Sequence, residues 1–144
     1  MTETKVLKLG KCFEKNGEQM LTGMDDFWYL GSEIDDVRLC HGVAECTGEG
    51  MKGVRFVHCW LEVYGGLVID VSKGEPVIIS KDAYYNAGTI DRSTVVRYTH
   101  SEMLDHITAT GHWGPWASHL EAMYDQELEE IQARGYVVER GDDE

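Results

Sequence analysis

The stretch Val54–Val71, Val-Arg-Phe-Val-His-Cys-Trp-Leu-Glu-Val-Tyr-Gly-Gly-Leu-Val-Ile-Asp-Val, decides the fold class. Its first half alternates with the two-residue period of a strand. Val57, Cys59, Leu61 and Val63 share one unbroken apolar face, which points to a core, and Phe56, His58, Trp60 and Glu62 share the other. Gly65-Gly66 supplies the positive φ angles that a two-residue hairpin turn needs, and Leu67–Val71 returns as the partner strand. An antiparallel hairpin follows. Upstream, Val37–Cys46 reads as a further strand, with Val37, Leu39, His41 and Val43 on one face.

The flanks of this sheet read as helix and short strand. Lys5–Leu9 is a short strand, and Cys12–Leu21 is rich in helix formers between Gly10 and Gly23. Phe27–Leu30 is an aromatic helix start or core plug. After the hairpin, Val77–Ile79 and Val95–Tyr98 read as strands, and Ser80 caps a helix over Lys81–Asn86. Thr99-His100-Ser101-Glu102 fits a capping box, opening a helix that Gly111 ends. Leu120, Met123, Tyr124, Leu128 and Ile131 stripe one side of a last helix, about 117–134, and an edge strand is expected at Tyr136–Val138. The expected class is α+β: an N-terminal helix packed on a central antiparallel sheet, with C-terminal helices.

The chain has 144 residues, which predicts one domain over 1–144 with an acidic tail at about 139–144. Its 13 basic against 26 acidic residues give a formal charge of −13, which argues against nucleic acid and anionic membrane partners. Much of that acid lies beyond Glu121, as expected of a solvated helix face and tail. No apolar run is long enough to span a membrane and Met1–Gly10 lacks a secretory pattern, so a cytoplasmic location is expected. Cys12, Cys40, Cys46 and Cys59 have no zinc-knuckle spacing, and they read as free thiols. His100, His106, His112 and His119 cluster in sequence without a metal-binding pattern, so neither metal nor organic cofactor is expected.

Three residues carry the chemical argument. Cys12 opens the first helix, where unpaired N–H groups and the helix dipole favour a thiolate and can hold an oxyanion. Cys40, mid-strand, is the weaker rival. His58 is the candidate base, and Asp70 on the next strand can fix its tautomer. The two-residue turn, however, places Asp70 opposite Leu61, on the face away from His58, and an odd slip or bulge is needed to bring them together. Glu62 shares the His58 face and is a substitute acid. Trp60 walls a cleft there, and His41 lines it.

Gly10-Lys11-Cys12-Phe13-Glu14, His58-Cys59-Trp60-Leu61-Glu62 and Leu67-Val68-Ile69-Asp70 together resemble the transglutaminase-like, papain-type cysteine proteins. In those families the order is Cys, His, Asp, with the Cys opening a helix and the other two on successive strands. The resemblance spans roughly residues 8–110. Gly111-His112-Trp113-Gly114-Pro115-Trp116 looks like a small group of bacterial and phage proteins. The resemblance implies Cys12, His58 and Asp70 as a catalytic triad acting on an amide, as peptidase, amidase, deamidase or acyl transferase. His41, Trp60 and Glu62 would bind a protein or peptide substrate.

Two other readings stand beside it. One is a non-catalytic acidic protein that binds and inhibits a basic partner. The other is a His-Tyr-Glu ADP-ribosyltransferase, with His41 and Tyr85 on NAD and Glu102 or Glu121 at the acceptor.

Overall fold

The alternation that marks Val54–Val71 as a hairpin places it at the centre of an antiparallel sheet. The computed structural model describes residues 5–9, 11–23, 34–47, 51–63, 66–73 and 75–140. Phe27–Leu30 and the four last residues lie outside them. The element order is β1 (Lys5–Leu9), α1 (Lys11–Thr22), β2 (Val37–Glu45), β3 (Arg55–Val63), β4 (Leu67–Asp70), β5 (Val77–Ser80), α2 (Lys81–Gly88), β6 (Asp91–Tyr98), α3 (His100–Thr110), α4 (Ser118–Ala133) and β7 (Tyr136–Arg140). The protein is α+β. Its main sheet runs β5-β4-β3-β2-β6, every neighbour antiparallel, and β1 and β7 form a separate parallel pair.

The local signals explain the ends of the elements. Ser80 accepts from the Ala83 N–H at 3.2 Å and starts α2. Thr99 and Glu102 exchange both bonds of a capping box at α3, and Gly111, at φ 76°, closes that helix in the left-handed region. Gly17, unfavourable inside a helix, has a packing reason: a Cβ there would lie 2.5 Å from Cε3 of Trp113. Trp113 therefore lies directly against the α1 backbone.

Both faces of the sheet are covered. On one, Leu39, Val43, Val57, Cys59 and Leu61 meet Phe13 and Met20 of α1, Met103 of α3, and Leu120 and Tyr124 of α4. On the other, Cys40, Ala44, Trp60 and Val68 meet Tyr85 of α2 and Ile90. Removing this apolar surface from water is the main force holding the layers together.

The turn differs from the two-residue expectation. Val63 pairs with Leu67 and Leu61 with Ile69, so three residues rather than two separate the paired strands. Gly66 takes a φ of 81°, a left-handed step that suits the end of a three-residue connection. The register moves by one residue. Asp70 thereby shares the face of Trp60 and His58 rather than facing the core beside Leu61.

Candidate functional site

β3 and β4 pair from Val63 to Leu61, and beyond that point helices take over the open edge of β3. Glu127 of α4 accepts the Val57 N–H at 2.8 Å, and Asn16 of α1 donates to the Cys59 carbonyl at 3.0 Å. His58 lies between those two anchored residues. Cys12, the second residue of α1, is half-buried and lies near enough to His58 to favour the charged imidazole.

The imidazole meets Asp70 directly. His58 Nε2 lies 3.1 Å from Asp70 Oδ2 and 2.8 Å from the Tyr84 hydroxyl, and that hydroxyl donates to the same carboxylate oxygen at 2.6 Å. With Nε2 so engaged, Nδ1 is the imidazole nitrogen outside this cluster. Asp70 Oδ1 accepts from Asn16 Nδ2 at 3.1 Å and from the Ser72 N–H at 2.9 Å. Four groups thus occupy the roughly four lone-pair sites that a carboxylate offers. A carboxylate so held has one orientation.

The electrostatics follow from this packing. Burial disfavours a charged imidazole at His58, but the nearby Cys12 and the bond and charge of Asp70 outweigh it, and His58 is pushed up to about 10. Burial raises Asp70, yet the bond and charge of His58, with Tyr84 and Ser72, hold it well below the usual carboxylate range. Burial and the adjacent Asp70 push the Tyr84 phenol far up, so it stays a neutral donor.

Asp70 and Tyr84 therefore meet the imidazole, with Cys12 close by, while the expected substrate contacts do not. His41 does not line a cleft. It is fully buried in the opposite face, 4.8 Å from Phe13 and 5.1 Å from both Tyr98 and Trp116 between ring centroids. Burial, with the nearby His106, lowers it to about 3, so it is a neutral core ring. Trp60 is wholly buried and walls no open cleft, because α2 covers that part of the sheet. Its ring instead stacks behind His58, at 5.9 Å. Glu62 is not the orienting acid: it receives Trp60 Nε1 at 3.0 Å, Arg97 Nε at 2.9 Å and the Tyr85 hydroxyl.

The rival arrangements separate in the same way. Cys40 is buried, and burial with the Glu62 charge pushes its thiol well up, so it is a poor nucleophile. His41 and Tyr85 lie in the cores on opposite faces of the sheet and cannot share one NAD, and Glu102 is spent on the α3 cap. Trp116 packs in the core, stacked on His106 at 4.8 Å. Among the described residues, no three His, Cys, Asp or Glu side chains converge as metal ligands, and no helix is long and apolar enough to cross a membrane.

Two site residues escape the sequence reading. Asn16 sits one turn after Cys12, a polar side chain in the buried row with Met20, and that placement is its only signal. Tyr84 reads as ordinary helix packing beside Tyr85. A groove of about 530 Å³ opens beside Tyr84, with Phe56, His58, Asp70, Ile79 and Ile90 among its other walls. Its volume is in the range of small-ligand pockets. Comparison with protein-family models, with curated proteins and with solved structures finds no match to the chain.

Proposed function

We propose that this protein performs cysteine-dependent amide chemistry in the manner of the transglutaminase-like, papain-type cysteine proteins. The observation that carries the reading is His58 set against the fully bonded Asp70, which Asn16 ties to the helical turn that carries Cys12. Cys12 sulfur attacks the amide carbonyl carbon, and the oxyanion that forms lies against backbone N–H groups at the start of α1, which have no partner within the helix. His58 holds the thiol proton and passes it to the nitrogen as the C–N bond breaks, releasing an amine and leaving a thioester on Cys12. A water or a second amine then attacks the thioester carbon, His58 takes the proton from it, and the thiol is regenerated. Asp70 keeps the imidazole in one tautomer and stabilises its charged form. A peptide or protein amide is the proposed substrate, as peptidase, amidase, deamidase or acyl transferase.

The test is chemical labelling. Iodoacetamide is expected to modify Cys12 before Cys40, Cys46 and Cys59 in the folded protein, read by peptide mass mapping. His58→Ala is expected to slow Cys12 labelling by about 100-fold, in the range that one positioned proton acceptor contributes. Preferential labelling of Cys46, or a His58→Ala rate equal to the wild type, would sink the reading.

A further inference from the structure

Asn16 is wholly buried and makes bonds to groups from three elements. Its place in the sheet is specific. The β3–β4 register pairs Leu61 with Ile69, and one further step along the ladder sets Cys59 opposite Val71. At that step the Asn16 amide stands between the strands. Its Nδ2 donates to the Cys59 carbonyl at 3.0 Å, and its Oδ1 accepts the Val71 N–H at 3.1 Å. A side-chain amide thus takes the place of a neighbouring peptide.

The insertion sits where the site is built. His58 and Asp70 are the residues next to Cys59 and Val71, diagonal neighbours on one face of the sheet. The spacing that Asn16 imposes on the strands is therefore the spacing across which the imidazole meets the carboxylate. The same Nδ2 lies 3.0 Å from the Cys12 carbonyl and 3.1 Å from Asp70 Oδ1. Its two hydrogens are shared among three acceptors, which ties the first turn of α1 to the acid. Glu127 plugs the same strand edge at Val57. That bond satisfies a backbone donor, as any buried donor requires. Asn16 does this and also holds Asp70.

We propose that Asn16 is a positioning residue, whose inserted amide fixes Asp70, and through it His58, against the turn that carries Cys12. The proposal rests on the reading of Cys12, His58 and Asp70 as one reaction centre. It is tested by NMR titration of the His58 imidazole and by the pH profile of Cys12 alkylation with iodoacetamide. Wild type, Asn16→Ala, Asn16→Ser and Glu127→Ala are compared, with urea unfolding run on each. In both Asn16 variants the His58 midpoint is expected to fall from about 10 by about one pH unit. Their alkylation rate is expected to fall by about tenfold. Glu127→Ala is expected to lose stability with the midpoint where it was. A folded Asn16→Ser protein with the wild-type midpoint overturns the proposal. So does an equal shift in Glu127→Ala, which would make both residues simple edge plugs. If Cys12 is not the fastest thiol in the wild type, the chemical reading falls, and the NMR midpoints still decide whether Asn16 holds His58.

Discussion

Replacing Cys12 with serine is expected to bring the His58 midpoint down from about 10 toward the ordinary imidazole value of 6.5. The side chain of His58 is 17% exposed, so solvent screens its neighbours only partly. Burial alone pulls the imidazole down, and the nearby Cys12, with the bond and charge of Asp70, pushes it up. A rise from 6.5 to about 10 corresponds to about 5 kcal/mol between the two protonation states of the folded protein. The sign is that of a raised base. The contribution to stability is complete below pH 6.5 and disappears as the pH climbs from there to about 10. Serine keeps the shape and removes the sulfur, so only the Asp70 share remains. The assay is the imidazole proton and carbon shift of His58 across pH 5–11, with melting temperature measured over the same range. The wild-type protein is expected to lose stability toward the alkaline end, and Cys12→Ser less steeply. A wild-type midpoint near 6.5, or the same midpoint in Cys12→Ser, would refute the placement of Cys12 against the ring.

Tyr84→Phe removes the hydroxyl between His58 and Asp70, a hydrogen bond to a charged group whose loss costs about 1.5–3 kcal/mol in urea unfolding; a change below a few tenths would mean the hydroxyl is solvated rather than bonded. Asp70→Asn is expected to flatten the acid limb of the stability profile, because a carboxylate held low stabilises the fold above its ordinary value of 3.8 and loses that contribution as pH falls below it. An acid limb unchanged in Asp70→Asn would contradict this. Gly17→Ala normally strengthens a helix, but here the new Cβ meets Trp113 at 2.5 Å, and overpacking of about 1–3 kcal/mol is expected in thermal unfolding. Thr99→Ala breaks the α3 capping box and is expected to cost about 1 kcal/mol, whereas an unchanged melting temperature would show that tertiary contacts alone hold that helix start.

Much of the fold is legible because its signals are local. Alternation marks β3 and β4, Thr99 and Glu102 mark α3, and the Ser80 cap marks α2. Burial of both sheet faces is not local. His41 and Trp60 sit on opposite sides of neighbouring central strands, and both are fully enclosed. Alternation alone cannot separate a solvated face from one that a helix covers later in the chain. The parallel pairing of β1 with β7 joins the two ends of the described chain and leaves no mark in either segment.

The site itself hangs on a single residue of register. With Gly65-Gly66 as a two-residue turn, Asp70 falls on the far face and Cys12, His58 and Asp70 cannot meet. With Gly66 in the left-handed region and three residues between the paired strands, Asp70 crosses to His58. Two adjacent glycines permit either turn, so local chemistry does not choose between them. The choice is made by contacts distant in sequence. In the observed register, Val71 presents its N–H to Asn16 and Asp70 meets Asn16, Tyr84 and His58 together, while Leu67 and Ile69 pack with the apolar core. In the other, Ile69 would turn out of the core and Asp70 into it, an unpaired carboxylate against Leu61, which is prohibitive. Burying Ile69 and pairing Asp70 are therefore one event, and the packing that stabilises the sheet is also what assembles the site.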